Sequence, residues 1–169
     1  MDQSFVSKKV DQEADLITQL VGFKIGREYF GVDILMVQEI IRSTPITRVP
    51  NSPEFIEGVI NLRGSIIPVI ELRKRLNLYK DKNKDGKVWI LIINVDERVT
   101  GFIVDSVTKV LKIRTDSIEP PPDIVTAGLS SQYIRGVCEI DDGLLILLDF
   151  ARILNIEEIK KLKDFDRED

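Results

Sequence analysis

Few side chains in this sequence have the type and spacing to do chemistry. The most suggestive is Arg63, in the run Asn61-Leu62-Arg63-Gly64. A guanidinium stays charged at any physiological pH and offers a planar fork of donors suited to a carboxylate or a carbonyl. The other candidates are Glu39, the acids Asp33 and Asp105, the adjacent pair Asp141-Asp142, and Cys138. Histidine is absent, which removes the usual general base near neutral pH, the commonest metal ligand and phosphohistidine chemistry. A Ser-His-Asp triad is therefore impossible, no Cys/His cluster exists to hold a metal, and no glycine-rich loop has phosphate-binding spacing. A Ser-Lys or paired-carboxylate mechanism stays open on residue counts. However, Asp141-Asp142 falls in a turn, and Asp33, Asp105 and Asp123 are scattered. A phosphoacceptor aspartate of receiver type would want alternating strands and helices, and this chain is rich in strands throughout. These residues point to recognition without a cofactor or a metal, not to an enzyme.

The elements that must position Arg63 are present twice. Phe55-Ile56-Glu57-Gly58-Val59-Ile60, followed by Ile66-Ile67-Pro68-Val69-Ile70-Glu71-Leu72, returns as Tyr133-Ile134-Arg135-Gly136-Val137-Cys138, followed by Leu144-Leu145-Ile146-Leu147-Leu148-Asp149-Phe150. Upstream, Gly31-Val32-Asp33 with Val37-Gln38-Glu39-Ile40 is matched by Ile103-Val104-Asp105 with Val107-Thr108-Lys109-Val110. In each copy the pattern predicts about five short strands, bounded by turn signals at the spacing of small barrels or sandwiches. Short helices are expected at Leu72–Leu76 and Phe150–Leu154, and an amphipathic helix at Ile156–Phe165. The expected fold is mainly β: two tandem five-stranded barrels with short helices and a C-terminal helix. A single ten-stranded sandwich is the competing arrangement. The expected division is a loose tail over 1–15, two intertwined barrel subdomains over about 16–87 and 88–154, and a helix and tail over 155–169.

At 169 residues and 43% hydrophobic, the chain can bury one core or two closely packed ones. A net charge of −4, with no basic stripe, argues against nucleic acid. The cluster Arg73-Lys74-Arg75 reads as a solvated helix face. No apolar run approaches the roughly 18 residues needed to span a bilayer. The polar start, Met1 to Asp15, lacks a signal pattern, and one cysteine fits a reducing cytosol. The expected location is cytoplasmic.

Differences between the copies mark where function is to be sought. Arg63 replaces the usual hairpin-tip residues Asn and Asp, which tolerate positive φ, so turn stability does not explain it. Glu39 stands where the other copy has Lys109, and a Glu39–Arg63 ion pair is expected to set the arginine's pose. Gly58 and Gly136 agree between copies, which favours a bulge or a close backbone approach. Asp33 and Asp105 are expected to be caps, and Cys138, opposite Ile60, a core residue, as is Trp89. The apolar residues Ile34, Val37 and Ile40 either line a groove between the modules that accepts an amphipathic helix or form the inter-module core.

The stretches Gly31 to Ile40 and Pro53 to Arg73, with Asn61-Leu62-Arg63-Gly64-Ser65-Ile66-Ile67-Pro68-Val69 at their centre, resemble the CheW family of bacterial chemotaxis coupling proteins. The resemblance runs from about Leu16 to Leu154; Glu71 stands where that family often has Asp. It implies two SH3-like barrels and a non-catalytic adaptor, held at membrane-associated receptor arrays. Such an adaptor joins the cytoplasmic tips of methyl-accepting chemoreceptors to the regulatory domain of the histidine kinase CheA. It also implies a receptor helix in the groove between barrels, with Val37, Glu39, Gly58 and Arg63 as receptor-side residues, and the kinase domain end to end with the first barrel. A peptide- or RNA-binding small barrel outside chemotaxis is the alternative.

Overall fold

A computed structural model describes residues 16–78, 86–121, 131–141 and 143–154. The expected tail over 1–15, most of the charged run Lys80 to Lys87, Asp142 and the expected helix over 156–165 lie outside the described residues. Ten strands follow in order: β1 (Ile17–Ile25), β2 (Glu28–Asp33), β3 (Val37–Arg42), β4 (Ile56–Leu62), β5 (Ser65–Glu71), β6 (Trp89–Val95), β7 (Arg98–Val104), β8 (Ser106–Arg114), β9 (Ile134–Ile140) and β10 (Gly143–Leu148). Short helices α1 (Leu72–Arg75) and α2 (Phe150–Ile153) follow β5 and β10, and single 3-10 turns lie at Ile34–Met36, Thr115–Ser117 and Ser131–Tyr133. Pro53 to Ile56 forms a turn ahead of β4, closed by the Ile56 N–H donating to the Pro53 carbonyl at 3.0 Å.

The strands form two five-stranded sheets, β8-β1-β2-β10-β9 and β3-β6-β7-β5-β4. Each closes on itself, because the chain leaving its edge strand returns to the opposite edge: Thr47 bridges Val59, and Glu119 bridges Val137. Two barrels result, and the ten-stranded sandwich is excluded. The expected boundary near residue 87 divides the repeat but not the barrels. Hairpin β1–β2 belongs to the first copy yet joins β8, β9 and β10, while β6–β7 of the second copy joins β3, β4 and β5. One barrel is therefore nested in the chain from Val37 to Val104, and the other flanks it.

The exchange explains the uninterrupted apolar runs. Along β6, Ile90 and Ile92 point into the nested barrel, whereas Leu91, Ile93 and Val95 join a core shared by both barrels. Along β10, Leu145 and Leu147 fill the flanking barrel with Leu20 and Cys138, while Ile146 and Leu148 face the shared core. A strand buried on both faces has no polar alternation to show. Phe23, Phe30, Phe102 and Phe150 lie fully buried in the shared core, and each such side chain contributes about 2 kcal/mol by burial. Trp89 is only partly buried against that core, with the Arg42 guanidinium 4.9 Å from its ring centre.

Candidate functional site

Leu62 pairs with Ser65, so Arg63-Gly64 is a two-residue hairpin loop. Both have positive φ, 51° and 88°, as a type I′ turn requires, and the Gly64 N–H donates to Asn61 Oδ1 at 2.9 Å. An L-residue with a long side chain is disfavoured in this conformation, so Arg63 stands there against the local preference of the turn. Its Nη2 donates to Glu39 Oε1 at 2.5 Å, which is the expected ion pair. The arginine side chain is 72% exposed and the glutamate 30%. A pair this wet is worth about 0–1 kcal/mol, so its effect is to aim the guanidinium. At the equivalent places in the flanking barrel the charges reverse, to Lys109 and Asp141, and no ion pair joins those two.

The other candidates separate. Gly58 is buried at a bulge in the β4–β5 ladder, with φ 149°. A Cβ there would overlap the Thr47 carbonyl oxygen and lie 2.7 Å from its carbon. It permits the strand return that closes the nested barrel, and Gly136 does the same beneath Ile118 and Glu119. Gly58 therefore presents no surface of its own. Val37 and Ile34 pack partly buried against the shared core. Ile40 is 40% exposed. It pairs with Leu91, so it shares the face of β3 that turns toward the core against which Ile34 packs.

Of the two expected caps, only Asp33 is one, accepting from the Leu35 N–H at 2.9 Å. Asp105 instead accepts from the Gly26 N–H at 2.7 Å and from Arg73 Nη2. The α1 cap is Glu71, which accepts from the Arg73 N–H at 3.3 Å, and burial pushes its carboxyl up to about 7. Cys138 is buried as expected, and burial raises its thiol.

One feature has no counterpart among the sequence-based expectations. A cleft of about 400 Å³ opens beside Arg63, between the β4–β5 hairpin and the β6–β7 turn at Glu97 and Arg98. The β5–β7 ladder begins only at Val69–Gly101, whereas its counterpart β10–β2 starts two residues earlier, at Leu145–Tyr29. Pro68 is the cause: it stands where the other copy has Ile146, and it has no N–H to extend the ladder. That substitution was the available signal.

The CheW-like domain family matches residues 19–158. The chemotaxis protein CheW of Treponema pallidum (strain Nichols) is 34% identical over 147 residues, 85% of this chain and 86% of that one. CheW of Klebsiella aerogenes is 37% identical over 137 residues, 81% of each. The crystal structure of the scaffolding protein TtCheW from Thermoanaerobacter tengcongensis superimposes with a TM-score of 0.76 at 35% identity, covering 83% of this chain and 90% of that one. Sequence and fold agree over nearly the whole length, and the chain belongs to the CheW-like family of chemotaxis coupling adaptors.

Proposed function

We propose that this protein is a non-catalytic scaffold that couples the cytoplasmic tips of methyl-accepting chemoreceptors to the regulatory domain of CheA, in the cytoplasm at membrane-associated arrays. The observation that carries the receptor side is Arg63, held in an unfavoured turn conformation, aimed by Glu39 and mostly exposed. A rigid hairpin presenting an oriented guanidinium suits a carboxylate or carbonyl on a partner helix. Val37 acts from beneath, by fixing the start of β3 against the shared core, and Gly58 acts through barrel closure. The kinase domain meets one barrel end to end, as the family resemblance implies. Weak contacts of this kind gain strength by avidity in an array. The peptide- or RNA-binding alternative draws no support from the family or from the acidic charge.

The test is co-sedimentation with receptor-containing membranes and CheA, comparing wild type with Arg63→Glu. Receptor binding is expected to fall about tenfold or more, with the melting transition and kinase binding unchanged. Undiminished receptor binding by the variant would remove Arg63 from the interface.

A further inference from the structure

Arg73, Lys74 and Arg75 are not the solvated helix face that their charge suggests. Only Lys74 behaves so, paired with Glu57 at 2.7 Å. The Arg73 side chain is 13% exposed; its Nη2 reaches Asp105, and its Nη1 is buried with no hydrogen-bond partner among the described residues. Asp105 is the single residue by which the chain crosses from the nested barrel to the flanking one, and it also holds the Gly26 N–H at the tip of β1–β2. The Arg75 guanidinium lies 4.1 Å from the ring centre of Phe55 and 4.9 Å from that of Tyr133, and its Nε donates to the Ile153 carbonyl at 3.0 Å. Phe55 and Tyr133 are the same position in the two copies, and so are Arg75 and Ile153. Arg75 therefore sits where the pseudo-symmetric halves meet.

The arrangement is one-sided. In α2 the positions of Arg73 and Arg75 carry Ala151 and Ile153. The shared apolar core already attaches the barrels, but burial of apolar surface has no direction. Hydrogen bonds and ring-stacked guanidinium groups do have direction. A buried donor left unpaired costs stability, so Arg73 is not the residue that packing alone would select.

We propose that Arg73 and Arg75 are positioning residues that set the orientation of one barrel on the other, and with it the register of the two partner-binding surfaces. The second half of this statement rests on the adaptor reading above; the first half does not. The test replaces each arginine by the residue its own twin carries, giving Arg73→Ala with Arg75→Ile, and Arg75→Ile alone. Spin labels are placed on exposed sites of each barrel, Ser43→Cys and Lys112→Cys, in a Cys138→Ala background. The full chain is then measured by pulsed dipolar spectroscopy, and kinase activation is assayed with receptor tips and CheA.

The expected result is a cooperative fold, an inter-barrel distance distribution at least about twofold broader, pairwise binding to each partner within about twofold of wild type, and activation in the ternary mixture down about fivefold or more. An unchanged distance distribution in the folded variants overturns the proposal, and so does loss of folding in both variants, which would make the arginines purely structural. A broadened distribution with full activation overturns the coupling half alone. Failure of the wild type to activate the kinase would instead count against the adaptor reading.

Discussion

Replacing Arg63 by asparagine separates recognition from folding. Arg63 occupies the left-handed position of its turn at φ 51°, a conformation that costs an ordinary L-residue about 1–2 kcal/mol and that asparagine accepts far more readily. The substitution also removes the contact with Glu39, worth about 0–1 kcal/mol because the arginine is 72% exposed. The two effects oppose each other, and the sum is expected between no change and about 1 kcal/mol of added stability. For a chain of this size that is a rise in Tm of about 0–4 °C. Thermal melts measure the first half, and receptor co-sedimentation measures the second, where about a tenfold loss is expected. A variant destabilised by more than about 1 kcal/mol would show that the arginine holds the hairpin together. A variant that binds receptor normally would show that its exposed fork recognises nothing.

Gly58→Ala is expected to cost about 3 kcal/mol or more in urea unfolding, because the new Cβ meets the Thr47 backbone at a positive φ; Gly136→Ala, whose nearest clash is the movable Ile118 side chain, should cost less, and a Gly58→Ala loss below about 1 kcal/mol would refute the closure argument. Glu71 holds its proton up to about 7 in the folded protein against an ordinary 4.5, so the folded state binds more protons across that interval, and stability should fall as pH rises through it, by roughly 3 kcal/mol at most. Glu71→Gln should flatten that slope between pH 5 and pH 8, and an identical slope in the variant would assign it to other groups. Cutting the chain at residue 87 should leave neither piece folded alone, since each lacks a hairpin supplied by the other, while mixing the pieces should restore a cooperative transition; a fragment 1–87 that melts cooperatively by itself would contradict the exchange.

Much of the architecture was legible because the repeat labels equivalent strands and the glycines label the bulges. Local pattern carries such information well: Gly58 and Gly136 recur because a Cβ has no room at either place. The Glu39–Arg63 pair was legible for a different reason. It is a difference between copies that only a contact across one barrel could use. What the pattern left open was which copy of each hairpin completes which barrel, since both pairings give identical strands with identical burial. The roles of Asp105, Arg73 and Arg75 were lost with it, because all three act at a junction that exists only after the exchange.

One local signal does decide the exchange, and it is a matter of chain geometry. Val104 ends β7 and Ser106 begins β8, so Asp105 alone connects them. An antiparallel hairpin needs at least two loop residues to reverse direction, so β8 has no means of folding back on β7 and must continue into another sheet. Its partner there is β1, and the Asp105 N–H donates to the Lys24 carbonyl at 3.0 Å. The corresponding link in the first copy, Ile34 to Met36, is longer by two residues and forms a 3-10 turn, yet it makes the same crossing into β3 beside β6. A linker too short to turn therefore forces two repeated units to interlock. Interlocking places Asp105 between the barrels, within reach of Arg73, and thereby turns one surface-looking arginine into part of the fixed frame on which Arg63 is displayed.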